Sequence, residues 1–263
     1  MGGEDQGRGL GEIEIKAAMR LPGCPICRVK WQAANRYIDS LLWEGVNDTG
    51  TRMHIVRGFG YCAEHTWQLY HREMCRFGDE LGTSIIYADL ARHTATALDG
   101  FRTARAYRLI HWRWLDAVWY CLDRLLGRLA TRAYKLNCIL PSEECRVCSL
   151  SRQSEQYAIC VLLAQCSHAS FRDRYNASDG VCLAHLRQTL EQAARDDPHV
   201  ARWLVESTTN RLLLLATDLS EYARKQSWQY RNEATTESEK DAPRRASQFF
   251  GGPEKEQSRA QAT

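Results

Sequence analysis

One phrase occurs twice in this chain. Cys24-Pro25-Ile26-Cys27 is followed, with 34 residues between, by Cys62-Ala63-Glu64-His65. Cys145-Arg146-Val147-Cys148 is followed, with 33 between, by Cys182-Leu183-Ala184-His185. Each CxxC…CxxH unit supplies three thiols and one imidazole, the donor set of a closed tetrahedral zinc site. Taken in chain order, the first set is Cys24, Cys27, Cys62 and His65. The second is Cys145, Cys148, Cys182 and His185. A four-ligand site pins two chain segments to one point, so the repeated phrase constrains the fold more than any other feature.

The remaining cysteine usage agrees with metal binding. Eleven cysteines is an odd number, which suits a disulfide framework poorly. No basic n-region followed by an apolar h-region opens the chain, so secretion by that route is not expected. Met1-Gly2-Gly3 lacks the Ser or Thr at position 6 of a myristoylation signal, Gln6 standing there instead. Metal-bound thiolates in a reducing cytosol are expected. Hydrophobic residues make up 44% and charged residues 25%, a soluble globular balance rather than a disordered one. No apolar run approaches the ~18 residues of a membrane span. A net charge of +3 does not by itself mark a polyanion binder.

Periodicity points to helices throughout. Residues 1–12 are Gly-rich and expected to be disordered, with a short helix at 12–21. Val29, Ala33, Ala34, Tyr37, Ile38 and Leu41 recur at helical spacing after Cys27. Tyr157, Val161, Leu162 and Ala164 do so after Cys148. Tyr37 and Tyr157 lie ten and nine residues past their cysteines, and Leu41 and Leu162 both lie fourteen past. The repeat thus extends beyond the ligands into the expected core. Cys62 and His65, like Cys182 and His185, are i and i+3, one helical turn apart. A CxxC knuckle with two further ligands at a helix start resembles a treble clef, although the insert reads as helical where a treble clef has a β-hairpin. Further helices are expected at 83–98, 104–136 and 200–227. After Tyr230 the composition is that of disorder, apart from a short helix near 241–250.

The sites themselves read as structural. Four protein ligands leave no position for a catalytic water. Glu64 and Glu144 neighbour ligands and are the nominal bases, but the second repeat has Ala184 where the first has Glu64. Arg28 and Arg146 are placed to balance the −1 charge of a Cys₃His zinc centre. The same ligand types can hold an iron–sulfur cluster, or act as redox thiols. Of the other cysteines, Cys75, Cys121, Cys138, Cys160 and Cys166, none has a ligand-spaced partner, and Cys160 and Cys121 read as core. No nucleophile elbow or P-loop is present. Segment 101–136 carries a local net charge of +6, with Trp112, Trp114, Trp119, Tyr107 and Tyr120 interleaved. It reads as a basic, aromatic connector helix, or alternatively as a nucleic-acid surface.

Several phrases together resemble a known prokaryotic family. They are Gly23-Cys24-Pro25-Ile26-Cys27-Arg28, Tyr37-Ile38-Asp39-Ser40-Leu41, Val46-Asn47-Asp48, Gly60-Tyr61-Cys62-Ala63-Glu64-His65 and Gly82-Thr83-Ser84-Ile85-Ile86-Tyr87. Near the end, Arg224-Lys225-Gln226-Ser227-Trp228-Gln229-Tyr230-Arg231-Asn232 and Asp241-Ala242-Pro243-Arg244-Arg245-Ala246 join them. The set is similar to domain of unknown function 6062, over roughly residues 12–251. Tyr61 stands for the family's usual Phe and Arg146 for its usual Pro. The resemblance implies metal sites and brings no activity with it.

The resulting expectation is a mostly α fold. Two pseudo-repeated helical units, 13–100 and 141–228, each hold a treble-clef-like zinc site and are joined by a long helix at 101–140. Residues 229–263 form a largely disordered tail. Two Zn²⁺ per chain, a cytoplasmic location, a protein partner and no catalysis complete the reading. A nucleic-acid-associated regulator and a thiol or iron–sulfur redox protein are the alternatives.

Overall fold

The computed structural model describes residues 3–111, 140–230 and 232–253, and every regular element among them is helical. The order is α1 (Gly3–Ala18), α2 (Pro25–Ser40), a π-helical turn (Leu41–Gly45), α3 (Thr49–Arg57), α4 (Ala63–Phe77) and α5 (Leu81–His111). Then follow α6 (Arg146–Gln165), α7 (Ala169–Asn176), α8 (Leu183–Asp196), α9 (Pro198–Lys225) and α10 (Glu237–Gly251). Most of the basic aromatic segment, 112–139, lies outside the described residues. Its first part, 101–111, continues α5.

Local chemistry sets many of the boundaries. Proline at the first helical position starts α2 and α9, where its missing N–H and fixed φ cost nothing. The Asp197 side chain caps α9 by accepting from the amides of His199 and Val200 at 3.0 and 3.2 Å. Gly78 ends α4 in a left-handed conformation, φ 72°. Glu73, buried on α4, accepts hydrogen bonds from the Gly82 and Thr83 amides at 2.6 and 2.9 Å and so satisfies the start of α5.

The chain divides into two compact units that are not contiguous in sequence. The first comprises residues 1–33 and 151–263, the second residues 34–150. Both divisions fall inside a helix, α2 and α6. The expected division into 13–100 and 141–228 therefore differs from the observed one. Helix α2 contributes Ile26 and Val29 to the core of the first unit and Ala34, Ile38 and, through the π turn, Leu41 to that of the second. In the first unit these meet Ile15, Ile159, Leu162, Phe171, Tyr175, Val200 and Leu204. In the second they meet Val46, Ile55, Leu69, Ile86 and Val147.

Near both ends of the chain, described residues form helices where the composition suggests disorder. Helix α1 begins at Gly3 and buries Ile15 and Ala18. Helix α10 is longer than the short helix expected near 241–250, and it belongs to the first unit. It opens with a capping box between Thr236 and Glu239 and buries Ala242 and Phe249. Lys225 at the end of α9 pairs with Glu239 at 2.8 Å, both side chains only 10% exposed. Arg245 pairs with Asp218 of α9 at 2.7 Å. Arg224 lies over the Tyr230 ring and bonds both Glu221 and Glu233. The Arg-Lys phrase and the Asp-x-x-x-Arg-Ala phrase are thus the two sides of one helix–helix junction.

Three core expectations are corrected, the first at Ala164, which is exposed. Tyr157 is 42% exposed, and Cys160 is exposed as well. The buried stripe of α6 runs through Ala158, Ile159, Leu162 and Cys166, which places residues 157 and 160 off its centre. Among the described cysteines outside the repeated phrase, Cys166 is the one in the core, and burial pushes its thiol up to about 12.

Candidate metal centres

All eight residues of the repeated phrase come together as two clusters of four, with ligand atoms within 4.8 Å of one another in each. The pairing is crossed relative to the order of the chain. Cys24 and Cys27 meet Cys182 and His185, and Cys145 and Cys148 meet Cys62 and His65. The first cluster lies wholly in the first unit and the second wholly in the second. The expected sets, Cys24/Cys27/Cys62/His65 and Cys145/Cys148/Cys182/His185, are replaced by these.

The reason for the crossing is helix length. From Pro25 to Gly45 the chain is helical for 21 residues and advances about 30 Å. Helix α3, with nine residues, spans only about 14 Å of any return. The second repeat behaves alike: α6 has 20 residues and α7 only eight. A long helix directly after a CxxC works against closing its site with the CxxH that follows it in sequence. The CxxH of the other repeat offers the same donors.

The local geometry of each half-site is the same. Cys24, Cys62, Cys145 and Cys182 each directly precede the first residue of a helix, α2, α4, α6 and α8. Cys27, His65, Cys148 and His185 each fall one turn later. Every half-site therefore occupies the first turn of a helix, and each cluster sits between two helix N-termini. Those ends carry partial positive charge and favour thiolates. The knuckle expected at each CxxC is instead a helix start. Gly60 and Gly180, two residues before Cys62 and Cys182, adopt φ of 95° and 70°. Glycine makes this reversal into the helix without strain.

Distances within the clusters suit a metal of zinc size. In the first, Cys27 Sγ lies 3.7 Å from Cys182 Sγ. His185 Nδ1 lies 3.4, 3.2 and 3.2 Å from the sulfurs of Cys24, Cys27 and Cys182. In the second, Cys62 Sγ lies 3.5 Å from Cys148 Sγ. His65 Nδ1 lies 3.1, 3.6 and 3.2 Å from Cys62, Cys145 and Cys148. Zinc bond lengths give tetrahedral edges of about 3.8 Å between sulfurs and about 3.5 Å between sulfur and nitrogen. The donor set and its spacing fit a tetrahedral ion, with Nδ1 as the donor atom of both histidines.

Close packing couples the protons of these groups. In the first cluster the hydrogen bond to Cys182 raises Cys27, and bonding to Cys24 and Cys27 lowers Cys182. One sulfur of the group holds negative charge at its neighbours' expense. Burial opposes charge on His185, but bonding to Cys182, Cys24 and Glu155 outweighs it and moves the ring up to about 11. In the second cluster burial is likewise outweighed for Cys145, which falls to about 6 through His65 and the amides around it. Burial and Cys62 push Cys148 up to about 12.

Two residues around the first cluster escaped the sequence reading. Glu155 on α6 lies 2.7 Å from His185 Nε2 and 2.8 Å from Lys30 Nζ on α2. The hydrogen bond from His185 chiefly holds the Glu155 carboxyl at about 2, against an opposing burial effect. Neither residue carries a motif signal, because their role follows from the crossed packing of α2, α6 and α8. Arg28 has its guanidinium on the Pro22 carbonyl at 2.5 Å, and Arg146 is exposed. Glu64 and Glu144, the nominal bases, are both exposed.

A family model described as a family of unknown function, DUF6062, matches residues 9–257. The chain belongs to this family. The match takes in both clusters and the α9–α10 junction of this DUF6062 chain. It is also 39% identical over 69 residues to an uncharacterised 23.9 kDa protein in the xynA 3' region of Caldicellulosiruptor sp. (strain Rt8B.4). That stretch is 26% of this chain and 31% of the relative, so the chain spans about a third of the curated protein it matches. No solved structure matches it. Among the described residues, no helix is long and apolar enough to cross a membrane.

Proposed function

We propose that this DUF6062 chain is a two-zinc protein that acts by binding another protein, with its Cys₃His centres as closed structural staples. The observation that carries the reading is the convergence of four donors on each centre from two helix N-termini. Such a set fills a tetrahedral ion and leaves no site for a reacting water. The acid nearest the first centre, Glu155, is engaged by His185 and Lys30 rather than free as a base. Each zinc would supply binding energy of about 10–16 kcal/mol to the unit that encloses it.

The identical placement of all four half-sites supports descent from one duplicated helical unit. In this reading the two copies have exchanged partners, so that each centre needs ligands from both halves of the sequence. A protein partner is supported by exposed aromatic surface on α4. Trp67 stands on Tyr70 and His71 with ring centroids 6.1 and 6.0 Å apart, and is 54% exposed. A cytosolic location follows from thiols that must stay reduced.

Elemental analysis of protein purified without added metal tests the centres. Two zinc per chain, a colourless protein and loss of helical circular dichroism on chelation are expected. Iron with visible absorbance would overturn the zinc assignment in favour of a cluster. For the partner, a protein that co-purifies with the wild type should be lost with Trp67→Ala while the zinc content stays at two.

A further inference from the structure

The two centres share a donor set but differ in what surrounds it. In the first, all four ligands are buried, between 3% and 8% exposed. His185 turns Nδ1 to the sulfurs and Nε2 to Glu155, whose other oxygen meets Lys30. The loops that lead into Cys24 and Cys182 are tied together as well, since the Gly23 amide donates to Asp179 Oδ2 at 2.6 Å. In the second centre Cys62, Cys145 and Cys148 are each partly exposed. Its His65 turns Nδ1 to the sulfurs, and among the described residues no side chain hydrogen-bonds its Nε2.

We infer that Glu155 is a positioning residue that makes the first centre the retentive one, and that the second centre gives up its metal first. An imidazole that binds metal through Nδ1 must carry its proton on Nε2. A carboxylate accepting that hydrogen fixes the tautomer, holds the ring plane and makes Nδ1 a better donor. Removing such a partner typically lowers metal retention 10- to 100-fold. Lys30, 2.8 Å from the other carboxylate oxygen, holds Glu155 in this orientation and so acts one step further out. Burial adds a kinetic difference, because a chelator must reach a sulfur or the ion before it can displace a ligand. The second centre is held by three part-exposed cysteines, which leaves it more open to that approach. The chain thus holds one retentive ion and one exchangeable ion, so the second unit is the first to lose the stability that its metal supplies.

The inference rests on the metal-centre reading above, and the test separates the two. Full-length protein carrying two zinc is mixed with excess 4-(2-pyridylazo)resorcinol, and the coloured complex is followed with time. Two phases of one zinc each are expected, the slow one at least about tenfold slower. Cys62→Ser should remove the fast phase and keep the slow one. Glu155→Ala should speed the slow phase by about 10- to 100-fold and leave the fast phase unchanged. Glu155→Gln, whose amide oxygen still accepts from Nε2–H, should recover part of the loss, and it carries the test if Glu155→Ala does not fold. Release of both ions in a single phase would overturn the inference while leaving the two centres standing. So would a slow phase that Glu155→Ala and Glu155→Gln both leave unchanged, or one that Cys62→Ser abolishes. A chain that binds no zinc at all would remove the parent reading.

Discussion

Two double variants decide between the crossed ligand sets and the sets read along the chain. Cys27 and His185 belong to one centre, with Sγ and Nδ1 3.2 Å apart. Cys27→Ser combined with His185→Ala should therefore empty the first centre and leave one zinc per chain. Cys27→Ser combined with His65→Ala strikes both centres and should leave none. Pairing in chain order forecasts the opposite result for each. The energetic consequence follows from the same geometry. A structural zinc contributes about 10–16 kcal/mol, comparable with the whole stability of a small domain at about 5–15 kcal/mol. Loss of one ligand from a centre then unfolds the enclosing unit, and a second loss from the same centre adds little. The pair Cys27/His185 should be strongly non-additive, and Cys27/His65 should be additive. Zinc per chain by mass spectrometry after gel filtration, with thermal melts in parallel, reads both quantities. Zero zinc in Cys27→Ser/His185→Ala together with one zinc in Cys27→Ser/His65→Ala would refute the crossing.

Other perturbations follow from individual contacts. Glu73→Ala strips the acceptor from the amides of Gly82 and Thr83 and should cost about 1–3 kcal/mol by chemical denaturation. Gly180→Ala places a Cβ at positive φ and about on top of the Arg211 guanidinium, so the melting temperature should fall and the first centre should lose zinc more readily. Asp39 is held below the usual carboxylate range chiefly by its hydrogen bond to Arg72, which lies 2.7 Å away. A depressed carboxyl stabilises above its unfolded pKa of about 3.9 and loses that contribution as pH falls through the lower folded value. Asp39→Asn should therefore cost roughly 0.5–1 kcal/mol at pH 7, after allowance for its part-exposed setting, and the difference from wild type should shrink below about pH 4. Phe249→Ala on α10 should destabilise the first unit by about 3 kcal/mol, a drop that no disordered tail would give.

Much of the fold was legible in the residues. Apolar spacing located the helices after Cys27 and Cys148 because a 3.6-residue period leaves a one-sided stripe whatever the stripe packs against. The core positions Ile38, Leu41, Val161 and Leu162 follow from it. Residues 224–251 were harder. Their composition is polar, yet Lys225, Glu239, Asp218 and Arg245 satisfy one another across α9 and α10, which a one-dimensional pattern does not reveal. Tyr157 and Cys160 show the complementary failure, in which apolar residues near a stripe point away from it.

The sequence by itself determined the chemistry of the centres: six thiols and two imidazoles at i and i+3, with each CxxH, though not each CxxC, read at the start of a helix. It also determined that two such sets exist. It did not determine which half-sites meet, because each CxxC has two chemically identical partners and spacing along the chain ranks them wrongly. Tertiary structure made that choice, and the rigid length of α2 and α6 works in its favour. The same choice brought Glu155 to His185, a contact between residues 30 positions apart with no motif to announce it.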